Sequence, residues 1–78
     1  MPIAFVLINA ELGAENELIN QVKSIENVKY AYVLYGAYDL VVKIEAPSTE
    51  ILKKTISNKI RQLKNVRSTL TMTVINEN

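Results

Sequence analysis

The sequence predicts an α+β domain whose elements run strand, helix, strand, strand, helix, strand. Three observations predict it. Apolar residues recur at helical spacing in two places, Leu18-Ile19-Val22-Ile25 and Ile51-Leu52-Ile56-Ile60-Leu63, the stripe a helix turns toward a core. Four other stretches, Ile3–Ile8, Val28–Tyr35, Leu40–Ile44 and Val66–Ile75, are rich in the β-branched and aromatic residues that strands favour. Only Gly36 and a few neighbours separate the second and third of these, which reads as a hairpin.

Taken in order, Ile3–Ile8 is almost wholly apolar, so both faces of this strand are expected to be covered. Asn9 to Gly13 ends it. Ala14–Ser24 is the first helix, with Glu15 and Glu17 in its first turn and Lys23 near its last, the arrangement the helix dipole favours. Glu26-Asn27 releases the chain into the second strand. That strand carries Val28, Tyr30, Tyr32 and Leu34 on one face and Lys29, Ala31, Val33 and Tyr35 on the other. Gly36 is expected to make a tight reversal at positive φ, which glycine enters without steric cost. In the third strand Leu40, Val42 and Ile44 share one face, and Val41, Lys43 and Glu45 the other. Pro47 stops the strand and Ser48 is a good N-cap for the second helix. The Lys53, Lys54, Lys59, Arg61 and Lys64 side of that helix is expected to face water. In the last strand Val66, Ser68, Leu70, Met72 and Val74 point one way, and Arg67, Thr69, Thr71, Thr73 and Ile75 the other. Asn76-Glu77-Asn78 is a short polar tail.

Two βαβ halves joined by a central hairpin give the ferredoxin-like split βαβ arrangement. Right-handed crossovers then lay both helices on one face of a four-stranded antiparallel sheet, in spatial order 4-1-3-2. The whole chain, residues 1–78, is expected to be one domain.

Composition narrows the function. Cysteine and histidine are both absent, which removes disulfides, thiolate metal sites, the commonest general base and the commonest metal ligand. An enzyme of the dimeric α+β barrel class is the alternative, but only Tyr38, Asp39 or a glutamate is left to move a proton, and an acylphosphatase-like reading lacks an arginine in Asn9–Gly13, so neither an enzyme nor a cofactor is expected. The formal net charge is +1, too weak for a nucleic-acid footprint. RNA recognition on such a sheet needs aromatics on the central strands, yet Leu40–Ile44 has none and the first strand has only Phe5. No apolar run approaches the ~20 residues of a membrane span, and the N-terminus lacks the marks of a signal peptide. A cytoplasmic address is the default.

Helices cover one side of such a sheet, so a monomer would be polar on the other. Strands one and two are instead apolar on both sides. Even their less apolar faces keep Ala4, Val6 and Ile8, or Ala31, Val33 and Tyr35. A contiguous exposed apolar patch marks an interaction surface, and covering a few hundred Å² of it is worth several kcal/mol at ~25 cal/mol per Å². A homodimer packed sheet on sheet is expected.

The Gly36-x-Tyr38-Asp39-Leu40 turn, the helix end Ile25-Glu26-Asn27-Val28 and the closing Val66-Arg67-Ser68-Thr69-Leu70-Thr71 strand resemble the effector-binding domain, often called the RAM domain, of the Lrp/AsnC transcription regulators. The resemblance covers essentially the whole chain. In that family the domain usually follows a helix-turn-helix domain. None is found here, so the resemblance implies a stand-alone version, with direct nucleic-acid binding not carried over. It further implies sheet-to-sheet dimers, their assembly into an octamer-like ring, and an amino acid effector held between dimers. A full-length Lrp/AsnC regulator becomes a candidate partner. The site implied is Tyr35, Gly36, Ala37, Tyr38 and Asp39 with Thr69 and Thr71. The chemistry suits an amino acid: a carboxylate accepts from the ammonium, backbone N–H groups at a glycine turn cradle the carboxylate, and threonine hydroxyls serve either end. Each residue also has a structural reading: Asp39 as a turn hydrogen-bonder, Tyr38 as dimer packing, the threonines as strand formers. An ACT-like module is the nearest rival, with the same topology and ligand class but its ligand at the loop after strand one, where Gly13 lies.

Overall fold

The computed structural model describes residues 1–75, and the Asn76-Glu77-Asn78 tail lies outside them. The elements are β1 (Ile3–Ala10), α1 (Glu15–Lys23), β2 (Val28–Val33), β3 (Leu40–Glu45), α2 (Thr49–Lys54) running directly into a π-helical segment (Thr55–Ile60), and β4 (Val66–Thr73). The sheet order is β2-β3-β1-β4, with all three pairings antiparallel. This is the ferredoxin-like arrangement expected from the sequence. Among the described residues no helix is long and apolar enough to cross a membrane.

Strand alternation decides what the helices cover. Ala4, Val6, Ile8 and Ala10 of β1 and Leu40, Val42 and Ile44 of β3 are buried under Leu18 and Val22 of α1 and Leu52, Ile56 and Ile60 of the second helix. Val6 sits opposite Val42 on one side and Thr71 on the other, so Thr69, Thr71 and Thr73 share the helix side of the sheet. The open face carries Ile3, Phe5 and Leu7 of β1 with Val41 and Lys43 of β3. Tyr30 and Tyr32 flank them on β2, and Leu70 and Met72 on β4. The Tyr30 and Tyr32 rings lie 5.1 Å apart, with the Lys43 ammonium 5.8 Å from the Tyr30 centroid.

The second helix starts where the sequence says. Ser48 is extended, and its Oγ accepts from the Ile51 N–H at 3.2 Å. Past Lys54 the winding loosens, and the Arg61 N–H donates to the Ile56 carbonyl five residues back, at 2.9 Å.

Several expectations are corrected. Ala4, Val6 and Ile8 are core, so the apolar part of the open face is built from the opposite set, half-buried Phe5 and Leu7 with exposed Tyr32, Leu70 and Met72 around them. Ile51 lies 40% exposed, outside the buried stripe. β2 stops at Val33, leaving Tyr35 outside the strand, and β4 stops at Thr73 rather than Ile75. The reversal between β2 and β3 is a broad loop, residues 34–39, and Gly36 does not take a positive φ. Positive φ occurs at Gly13 (81°) and at Asn27 (78°), where the chain leaves α1 for β2.

Candidate functional site

The loop between β2 and β3 is held by its last residue. The Leu34 N–H donates to the Asp39 carbonyl at 2.7 Å and closes the loop. The Asp39 N–H donates to the Ile8 carbonyl at 2.9 Å, and Asp39 Oδ2 accepts from the Ala10 N–H at 2.9 Å. Asp39 thus clamps the loop to β1. The carboxylate caps a donor at the strand's end, a charge-assisted bond stronger than a neutral one.

β1 meets β4 irregularly at the same end. Asn9 pairs with Ser68 and Ala10 with Val66, so Arg67 is an extra, unpaired residue. Such a bulge bends the strand and re-aims its side chain. Asn9, Asp39, Arg67 and Ser68 line a pocket of about 320 Å³ there. Asn9 Nδ2 donates to Ser68 Oγ at 3.2 Å, and this pair sits beyond Leu7 and Leu70 along the open face. One carboxylate and one guanidinium, with an amide and a hydroxyl beside them, therefore stand at the rim of an apolar surface.

The residues expected at the site divide into two groups. Tyr35, Gly36 and Ala37 form the exposed tip of the loop, while Tyr38 and Asp39 are half-buried. Asp39 lines the pocket. Thr69 stands opposite Ile8 and Thr71 opposite Val6, on the helix side. Thr71 lines a different groove, with Leu52, Ile56 and Thr73. The structure brings Asp39 together with Asn9, Arg67 and Ser68, and not with the two threonines. Asn9 and Ser68 escape the sequence reading because they meet only through the β1–β4 register, and Arg67 because its place depends on the bulge. The one visible signal is that Asn9 is polar at the end of an apolar strand.

Residues 3–78 match the family model of the Lrp/AsnC ligand binding domain. The chain belongs to that family. An uncharacterised HTH-type transcriptional regulator of Pyrococcus furiosus is 31% identical over 72 residues, which are 88% of this chain and 48% of the relative. The chain spans about half the length of the curated relatives it matches. A solved structure of a hypothetical Pyrococcus horikoshii protein, PHS023, superposes with a TM-score of 0.92 at 39% identity, covering 99% of this chain and 93% of that one. The Neisseria meningitidis transcriptional regulator NMB0573, solved as an L-Met complex, superposes at 0.85 over 97% of this chain and 51% of its own. At 14% identity that likeness is one of fold. The family and the fold expected from the Gly36–Leu40 and Val66–Thr71 motifs are both borne out. As an Lrp/AsnC ligand binding domain, the chain is of the type found in transcription regulators.

Proposed function

We propose that this domain senses an amino acid at the Asp39–Arg67 pocket and passes the signal on through its assembly with other subunits. The observation that carries the reading is the presence of opposite charges in one small pocket, Asp39 and Arg67, beside Asn9 and Ser68. An α-amino acid presents an ammonium and a carboxylate a few bonds apart. A guanidinium grips a carboxylate bidentately. The Asp39 carboxylate accepts from the ammonium, and Asn9 and Ser68 offer donors and acceptors to either group. Both ends of a desolvated zwitterion need partners, and this pocket supplies them. Tyr35, Gly36, Ala37 and Tyr38 form the loop that Asp39 anchors, and in this reading their backbone N–H groups serve the effector's carboxylate. Thr69 and Thr71 lie on the helix side of the sheet, outside the lining of this pocket. The L-Met complex of the Neisseria regulator supports the ligand class.

A second copy covering Phe5, Leu7, Val41, Leu70 and Met72 would bury the apolar face and wall the pocket, whose rim adjoins it. The output then follows from differential affinity: an effector that binds one assembly better shifts the population toward it. In this reading the domain works in the cytoplasm as a homodimer or a larger ring, performs no catalysis, and acts on DNA through a partner such as a full-length Lrp/AsnC regulator.

The test is calorimetric titration with the common amino acids, paired with size measurement with and without each. At least one is expected to bind, with Arg67→Gln and Asp39→Asn each weakening it ten-fold or more, the scale of a lost charge-assisted bond. Absence of heat for every amino acid, or binding untouched by both substitutions, rules the pocket out.

A further inference from the structure

A second opening lies at the other end of β3, a strand's length from Asp39. It is a cleft of about 550 Å³ between the end of α1 and the second helix, within the size range of small-molecule sites. Each of its two walls carries an irregular stretch of backbone. On one wall Asn27 holds φ 78°, in the left-handed region that asparagine enters more readily than other side-chain-bearing residues. It is kept there by the Glu45 N–H donating to its carbonyl at 2.9 Å and by its own Nδ2 donating to Thr55 Oγ1 at 3.3 Å. On the other wall buried Thr55 turns its hydroxyl back onto the Ile51 carbonyl, at 2.9 Å, and the π winding begins at that residue. π turns concentrate at functional sites.

The lining has a definite chemistry. Ile25 and Ile51 supply apolar surface, and Ile51 remains 40% exposed on an otherwise well-packed helix. Lys54 and Lys59 line the second-helix wall, and Glu26 lies on the α1 side. We propose that this cleft is a second small-molecule site, for a short aliphatic monocarboxylate. Its chain lies on Ile25 and Ile51 and its carboxylate meets Lys54 and Lys59. Glu26 repels a second anionic group, which selects against dicarboxylates. The site is separate from the Asp39–Arg67 pocket and stands or falls without it.

The experiment is an amide NMR titration of the whole chain with isovalerate at tens of millimolar, repeated with 3-methylbutan-1-ol and with glutarate. Isovalerate is expected to shift the signals of Glu26, Asn27 and residues 51–59 saturably. The uncharged alcohol and the dicarboxylate are expected to bind at least ten-fold more weakly, as is isovalerate to the Lys54→Gln, Lys59→Gln double variant. Both lysines are exposed, so the variant keeps its fold, which an unchanged pattern of core signals verifies. No saturable shift at these residues, equal affinity for acid and alcohol, or undiminished binding to the double variant overturns the proposal. Signals of Asn9, Asp39 and Arg67 report the other pocket independently.

Discussion

At the scale of single residues, the two glycines exchange the roles that chain position suggests. Gly36 stands in the loop that distinguishes the sequence, yet its backbone avoids positive φ, and a Cβ built on it meets nothing within 4 Å. Gly13 looks like mere punctuation but sits at φ 81°. Gly36→Ala should therefore change stability by no more than about 0.5 kcal/mol, whereas Gly13→Ala should lose about 1–2 kcal/mol for holding an L-residue in the left-handed region. Thermal melts of the two variants measure it, at roughly 4–8 °C per kcal/mol for a domain of this size. The reverse order would mean that the loop adopts another conformation. Asp39 shows why a side chain's role is hard to read from sequence. Its carboxylate bonds backbone, as aspartates near turns do, but the donor is Ala10 across the sheet rather than a turn neighbour.

Among the elements, β3 and α1 were legible because their periods are regular. Leu18 and Val22 are buried, and Leu40, Val42 and Ile44 alternate as a half-covered strand should. The second helix was legible at its start, where Ser48 caps it, and not in its winding. Leu52, Ile56 and Ile60 recur every fourth residue. In a plain α-helix that spacing over-rotates by about 40° per step. The wider π turns rotate less per residue and bring the three back into line, so all are buried and Ile51 is turned out. The faces of β1 were ambiguous for a related reason: a run apolar at every position has no period from which to choose a side. The Asp39–Arg67 pocket was only half visible, since no pattern along the chain announces the unpaired Arg67. The π segment yields a prediction of its own. Thr55→Val keeps the shape but deprives the Asn27 amide of its acceptor. It should destabilise by about 1 kcal/mol, with Thr55→Ser losing less. Denaturant unfolding of both variants decides it, and no loss in Thr55→Val would mean that the Asn27–Thr55 bond contributes nothing.

For the whole molecule, the sheet has one dry face and one half-dressed face. Leu7 and Val6 are neighbours in sequence and opposites in space: Leu7 is half-buried on the open face, Val6 wholly buried beneath the helices. Leu7→Lys should leave the circular dichroism spectrum intact and yield monomers in sedimentation velocity, because it charges only the surface proposed to meet a second copy. Val6→Lys should fail to fold, since it buries an unpaired ammonium. A Leu7→Lys protein that sediments like the parent would remove the open face from the assembly. The clamp at Asp39 also reaches further than the loop it fastens. Its other end is Ala10, on β1, which lies between β3 and β4 rather than on an edge. A guest that drew Oδ2 toward itself would leave the Ala10 amide proton unshared. Traffic at the surface would then be registered in the interior strand, in the pace at which that one proton trades places with solvent.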